Sequence, residues 1–408
     1  MLSRTDRQKL CIKRWYKSGG SATVVAATGF GKTRTALTAI QMLVNSNQDV
    51  SVLISVPTEV LKEQWMEELI KWNLFLNCRV EIVNTIVKNQ WNVDLLVVDE
   101  VHLIPTTNYS KIFDCVSYKL ILCLTGTLER LDGKEILIKK HAPVCDEITM
   151  KEALDNGWVS PVKEYLVLLD VDLSEYNEWN RKFNGYFSFF GHDFNLAMSC
   201  ATSVFERRKW AKTCKISEKN VMINAMGFMR SMRARKDFVM SHPKKFEIAR
   251  KILDARSSKK CITFSASIKD SEFLAKKGEF VLHSKKSKKK NSETLETFNA
   301  VSEGVIHSSK ACDTGVDVKG LSVGVILSTD SSKIRKTQRN GRICRFEEGK
   351  IAELFTLVIK GTQEVGWFNN SVTTSYQTID EQQLDQILAG EIIETRQREN
   401  IENKGYRF

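Results

Sequence analysis

Ala26-Ala27-Thr28-Gly29-Phe30-Gly31-Lys32-Thr33 follows a short β-branched run, Ala22–Ala26, and opens a stretch of helical character, Arg34–Val44. A strand that turns into a helix through two glycines presents a row of backbone N–H groups to an anion, and the helix N-terminus adds the positive end of its dipole. Gly29 and Gly31 allow close approach of the chain, Lys32 would reach the β- and γ-phosphates, and Thr28 lies in the same loop. Thr33 would place its hydroxyl on Mg²⁺. Ala26 stands where the general pattern G-x-x-x-x-G-K-[ST] has its first glycine. The sequence therefore predicts a nucleotide-binding α/β domain with ATP and Mg²⁺ as cofactors.

Beyond this loop, further strands are expected at Val52–Val56, Val80–Ile86, Leu95–Val98 and Leu120–Leu124, alternating with longer helical stretches as parallel sheets require. The apolar run Leu95–Val98 ends in Asp99-Glu100-Val101-His102. The C-terminal ends of buried parallel strands form the ligand edge of such a sheet. Asp99 would hold Mg²⁺ through water, and Glu100 would orient and deprotonate an attacking water. The plainer reading is a solvated acidic turn after a strand. A second strand series, Cys261–Phe264, Phe280–Leu282, Gly304–His307, Val323–Leu327 and Leu354–Val358, announces a second lobe.

Size and composition agree with two lobes. The 408 residues suffice for two domains, and 42% hydrophobic with 27% charged residues is the balance of an ordinary globular chain. No run approaches the roughly 18 apolar residues of a membrane helix, and the N-terminus lacks a signal-peptide core, so a soluble intracellular protein is expected. Its place would be the cytoplasm, a host's if viral, with the nucleus also open. The ten cysteines show no C-x-x-C spacing, so neither zinc nor redox chemistry is expected. A net charge of +12 suits a partner with repeated negative charge.

Together these residues resemble superfamily 2 helicases of the DExH type, in the branch of the XPB-type repair helicases and the phage recombination helicases. Gln8 is similar to the glutamine that reads adenine. Val56-Pro57-Thr58 with Leu61 and Gln64-Trp65 resembles motif Ia, and Asn84-Thr85-Ile86 the next contact motif. Leu124-Thr125-Gly126-Thr127-Leu128, continued by Arg130 and Asp132-Gly133-Lys134, is similar to motif III, whose threonines would link ATP state to the strand-gripping loops. In the second lobe, Ile262-Thr263-Phe264-Ser265 resembles motif IV, and Leu282-His283-Ser284-Lys285 the following strand end. Lys310 to Asp317 is similar to motif V, with Gly315 and Asp317 facing the nucleotide. Gln338-Arg339-Asn340-Gly341-Arg342-Ile343-Cys344-Arg345 matches the motif VI pattern. Arg342 and Arg345 would stabilise the transferring phosphoryl group from across the cleft.

The resemblance implies an α/β protein of two tandem RecA-like lobes, 1–160 and 246–408, with a linker and mostly helical insertion at 161–245. It implies an ATP-dependent DNA helicase or translocase, with an RNA-remodelling enzyme or a non-motor ATP-switched module as alternatives. The nucleic-acid contacts it implies are Pro57, Thr58, Gln64, Thr85, Arg130, Ser265, Ser284 and Lys310. Between the lobes, Tyr176, Trp179, Phe183, Tyr186, Phe187, Phe189, Phe190 and Phe194 are followed by Arg230, Arg233, Arg235 and Lys236. Aromatics interleaved with cations can stack on bases and neutralise phosphates, or form a small core with wet arginines. The run Lys285-Lys286-Ser287-Lys288-Lys289-Lys290 reads as a mobile surface loop or a phosphate-tracking patch.

Overall fold

The computed structural model describes residues 2–128, 132–309, 318–329, 350–372 and 375–391, with backbone only at 288. Strands β1 (Ser21–Ala26), β2 (Val52–Val56), β3 (Cys78–Ile82), β4 (Trp91–Val98), β5 (Val116–Thr125) and β6 (Val144–Ile148) form a parallel six-stranded sheet in the order β3-β2-β4-β5-β1-β6. Successive side chains of a strand point to opposite faces, so an uninterrupted apolar run feeds two cores. Leu53, Leu96 and Ile121 enter one core, while their neighbours Ile54, Val97 and Leu122 enter the other. Helices α1 (Arg4–Lys17) and α2 (Lys32–Ser46) cover the second of these faces through residues such as Trp15 and Leu37.

The second sheet has seven strands in the order β13-β7-β12-β11-β8-β10-β9. They are β7 (Val162–Leu169), β8 (Lys260–Phe264), β9 (Phe280–Leu282), β10 (Gly304–Ser308), β11 (Val323–Ile326), β12 (Ala352–Ile359) and β13 (Gln377–Ile379), again all parallel. Val167, Val325 and Leu357 supply one face, and Ile262, Ile306 and Leu354 the other. Among the described residues no helix is long and apolar enough to cross a membrane.

Three sequence expectations change here. The expected strand Val80–Ile86 stops at Ile82, and Val83–Ile86 forms a helical turn that buries Val83 and Ile86 instead. The segment 161–245 divides: Val162–Leu169 is the strand next to the β13 edge of the second sheet, paired along its whole length with β12, and the helical layer begins only at Ser174. The lysine run is loop only over residues 285–287, because the Ser287 hydroxyl caps Lys290 N–H at the start of the helix Lys288–Ala300. Lys286 turns inward, donating to the Val281 carbonyl at 2.8 Å.

The insertion consists of the helices Ser174–Phe189, Phe194–Thr202, Val204–Cys214 and Glu218–Met240. The last three are capped by Asp193, Ser203 and Ser217, residue types whose side-chain oxygens satisfy first-turn N–H groups. Phe187, Phe190, Ala225 and Phe228 form a core of their own, against which Phe183, Tyr186 and Phe189 pack. Gly227 makes the close crossing possible, since a Cβ there would lie 2.4 Å from the Tyr186 ring. Most of the insertion's aromatics are thus structural. Trp179, under the Lys182 ammonium, and Phe194, 49% exposed, stay at the surface.

Candidate active site

Parallel pairing places the C-terminal ends of β1, β2, β4 and β5 on one edge of the first sheet, and the expected nucleotide-site residues of that lobe follow them. The loop after β1 turns through Gly29 (φ 90°) and Gly31 (φ 97°), conformations that L side chains rarely adopt. Thr28, Gly29, Lys32 and Thr33 are half-buried around it, and Phe30 is fully buried, edge-on to Trp158.

The loop is held from behind by α1. Gln8 Nε2 donates to the Phe30 carbonyl at 3.0 Å, and a Cβ at Gly31 would lie 2.7 Å from that nitrogen. Arg4 Nε donates to the Phe30 carbonyl at 2.8 Å and an Arg4 terminal nitrogen to the Gly29 carbonyl at 2.7 Å. Turning these carbonyls toward α1 keeps them off the anion's side of the loop, although the Phe30 N–H is already bonded to the Ala27 carbonyl at 3.1 Å and the Ala27 N–H to the Ile148 carbonyl at 2.9 Å. Burial and nearby Arg34 lower the Arg4 pKa, so cations gather at the loop. Arg7 fixes α1 to β6: its buried guanidinium spans both Asp146 oxygens, at 2.5 and 3.0 Å, and reaches Glu152 at 2.8 Å. Arg14 adds a further bond to Asp146.

Asp99 and Glu100 follow β4. Asp99 is buried, accepts from Trp65 Nε1 at 2.9 Å through Oδ2 and from the Glu100 N–H at 3.0 Å through Oδ1. Burial and the adjacent Glu100 carboxylate push its pKa up to about 6, against the opposing pull of the Trp65 N–H and the Lys32 ammonium. That Lys32 acts on Asp99 brings the phosphate loop and the acidic pair into one electrostatic neighbourhood. A buried carboxyl of raised pKa in an α/β crevice belongs to the kind of environment in which functional acids cluster. Glu100 sits in the left-handed region at φ 50°, which for a non-glycine residue is strained backbone kept at functional positions.

Two side chains absent from the sequence-derived site complete it. His102 is 1% exposed, with Nδ1 3.3 Å from Glu100 Oε2 and 3.0 Å from Thr125 Oγ1. Thr125 Oγ1 in turn donates to the Thr127 carbonyl at 2.7 Å. A continuous polar line therefore runs from the acid after β4 to the turn after β5. Trp65, in the second turn of α3 (Glu59–Lys71), joins that helix to Asp99. Both residues stand inside the quoted motifs, but only the pairing distances single them out.

The expected nucleic-acid contacts fare unevenly. Pro57, Thr58, Gln64 and Thr85 are half-buried near the same edge, and the Thr58 hydroxyl accepts from Leu61 N–H at 3.3 Å, so its first duty is to cap α3. In the second lobe Ser284 is exposed after β9, whereas Ser265 after β8 is 1% exposed and its hydroxyl faces no solvent. Arg130, Lys310, Gly315, Asp317, Arg342 and Arg345 lie outside the described residues.

Comparisons with known proteins add the family. A DEAD/DEAH box helicase model matches residues 5–92, and a helicase conserved C-terminal domain model matches residues 244–347. The chain is 26% identical over 391 residues to the DNA 3'-5' translocase XPB2 of Sulfurisphaera tokodaii, covering 88% of this chain and 82% of the relative. Among solved structures, the Hef helicase domain of Pyrococcus furiosus aligns with a TM-score of 0.55 at 16% identity, over 91% of this chain and 100% of that one. The Dbp5 protein of S. cerevisiae, bound to RNA and ADP BeF3, aligns with a TM-score of 0.59 at 12% identity, over 94% and 91%. These two establish the fold, two RecA-like lobes. The chain is an ATP-dependent helicase of superfamily 2. Within that superfamily it resembles the XPB-type branch.

Proposed function

We propose that the chain is a DNA translocase or helicase that hydrolyses Mg²⁺·ATP between its two lobes and moves along one strand of a duplex, fork or junction. The observation that carries this reading is the joining of the phosphate loop and the acidic pair at one sheet edge, with the Glu100–His102–Thr125 line leading away from it. The loop's N–H groups, Lys32 and Thr33 would hold the phosphates, and Gln8 the adenine. The donor set fits Mg²⁺: a threonine hydroxyl and a buried carboxylate are the hard oxygen ligands it takes alongside phosphate and water. When bound, Mg²⁺ supplies charge neutralisation at the β- and γ-oxygens. Glu100 would take the proton of the attacking water, and its contact with His102 keeps the carboxylate turned toward the loop after β5. Gly315 and Asp317 would face the nucleotide from the second lobe, with Arg342 and Arg345 as the fingers.

DNA as the substrate is supported by the relative, which is a DNA 3'-5' translocase. The contacts would come from Pro57, Thr58, Gln64, Thr85, Arg130, Ser284 and Lys310. Ser265 would join them only after a shift that uncovers its hydroxyl. The insertion would add to them. Along its last helix Met222, Met226, Arg230, Arg233 and Lys236 are all exposed at helical spacing on one face, apolar at one end and cationic at the other. Such a face suits a strand whose bases and phosphates are both within reach.

The test is strand displacement and ATP turnover on single strands, duplexes, forks and four-way junctions in DNA and RNA, with the wild type and an Arg230→Ser/Arg233→Ser/Lys236→Ser variant. Activity on DNA substrates with 3'-to-5' polarity is expected. In the variant the logarithmic salt slope of single-strand binding should flatten by about 0.7 for each phosphate that the three cations no longer neutralise. Turnover and displacement confined to RNA would overturn the substrate, and an unaltered salt slope would remove the insertion from the binding surface.

A further inference from the structure

The insertion and the second sheet meet at the first turn of the helix Gln363–Ser371, where two adjacent residues face opposite ways. Gln363 is tied to the insertion. Its N–H donates to Tyr176 Oη at 2.9 Å, and its Oε1 accepts from Arg235 at 2.8 Å. Arg235 is held in place by the Phe183 ring, 4.1 Å from its guanidinium carbon. The approach is close: at Gly361 (φ 76°) a Cβ would lie 3.0 Å from Leu173.

Glu364 is tied to the sheet. Its Oε1 pairs with Lys245 Nζ at 2.5 Å, and both side chains are 0% exposed. Lys245 also donates to the Leu327 carbonyl at 2.8 Å. The Glu364 carboxylate accepts from the Ile359 N–H at 3.0 Å and from the Thr329 N–H. The pair therefore grips the C-terminal ends of the neighbouring strands β11 and β12. From Thr329 the chain runs directly into residues 330–349, which carry Arg342 and Arg345.

A buried ion pair is an inefficient way to stabilise a fold, because apolar residues of similar volume are often as good or better. What an apolar pair could not do is hold the Leu327 carbonyl and the Ile359 and Thr329 amides at set positions. The desolvation cost is thus matched to a positional task at the sheet's ligand edge, next to the joint with the insertion.

We infer that Gln363 and Glu364 form a coupling joint, in which nucleic acid engaged by the insertion displaces Gln363 through Tyr176 and Arg235, and Glu364 with Lys245 transmits the displacement to the strand end that leads to the finger arginines. Tyr176, Arg235, Lys245, Gln363 and Glu364 are positioning residues. The inference rests on the reading of the chain as a nucleic-acid-stimulated ATPase whose insertion touches the nucleic acid. A rigid turn bonded on both sides is the kind of contiguous element through which such coupling passes.

The deciding experiment compares the full-length wild type with Tyr176→Phe/Gln363→Leu, which removes the side-chain bonds of the joint and leaves its packing. ATP turnover is measured at saturating Mg²⁺·ATP with and without saturating single-stranded DNA, and DNA affinity by fluorescence anisotropy. Unstimulated turnover and DNA affinity are expected to be unchanged, while the stimulation ratio falls by about fivefold or more, at the low end of allosteric coupling. A second variant, Lys245→Met/Glu364→Met, keeps the volume and is expected to lower stimulated kcat with the KM for ATP unchanged. Full stimulation in the first variant overturns the inference, as does an equal fall of basal and stimulated turnover or a weakening of DNA affinity that accounts for the effect. A wild type that no nucleic acid stimulates would instead overturn the functional reading beneath it.

Discussion

Glu100→Gln is expected to lower nucleic-acid-stimulated ATP turnover by about two to four orders of magnitude, the usual contribution of a positioned general base. Glutamine keeps the length and shape of the side chain, so the left-handed backbone at φ 50° and the neighbouring His102 Nδ1 at 3.3 Å are disturbed little. What disappears is the capacity to take a proton from water. Binding of Mg²⁺·ATP and of nucleic acid should therefore persist, and the variant should accumulate in the ATP-bound state. Rapid-quench measurement of the hydrolysis step, together with nucleotide affinity, separates these quantities. Turnover near the wild-type rate would remove Glu100 from the role of base and leave Asp99 to account for the acidic pair.

The second large effect is expected at Arg342. An arginine that meets the transferring phosphoryl group from the opposite lobe contributes about 10³ to 10⁵ in turnover, and Arg342→Ala should lower turnover by an amount in that range with the KM for ATP little changed. Arg342→Lys should not restore it, since a point charge lacks the planar fork of the guanidinium. Arg345 is the companion candidate in the proposed reading, and the same measurement on Arg345→Ala apportions the role between them. Both arginines stand within the matched helicase C-terminal segment, residues 244–347. A fall in ATP affinity with kcat intact would assign them to ground-state binding instead.

The sequence is most legible where function and local pattern coincide. The apolar run before Ala26, the two glycines and Lys32 describe a strand, a turn and a helix within one window, and the strand before Asp99 is equally local. Pairing across distance is not legible. β7 lies next to β12, far away in the chain, and no local pattern in Val162–Leu169 announces that partner, so the sequence alone assigns it to the linker. β6 exposes Val144 and Glu147 at the sheet edge, which dilutes its apolar signal. The Trp65–Asp99 and His102–Thr125 contacts are likewise products of the sheet that brings separate motifs together. Arg235 shows the reverse error. Its place among cations and aromatics suggests nucleic acid, yet it is engaged by Gln363 and by the rings of Phe183 and Tyr176.

The first lobe's half of the site also explains why hydrolysis should answer to nucleic acid. Trp65 connects α3, which begins at the Thr58 cap, to the buried Asp99, and the His102–Thr125–Thr127 line connects Glu100 to the turn after β5. Asp99 thus touches the segment that resembles motif Ia, and Glu100 reaches the segment that resembles motif III through His102. Movement of those segments on binding a strand would reach Asp99 through a single hydrogen bond and Glu100 through the His102 ring.

The central claim is that this chain is a motor whose ATP hydrolysis depends on nucleic acid, and its most direct test is the steady-state rate of ATP hydrolysis as single-stranded DNA is titrated in at saturating Mg²⁺·ATP, with Lys32→Ala as the control. The expected result is a low basal rate that rises saturably with DNA in the wild type and no turnover in Lys32→Ala. A rate that is the same with and without nucleic acid, or turnover that survives in Lys32→Ala, would contradict it.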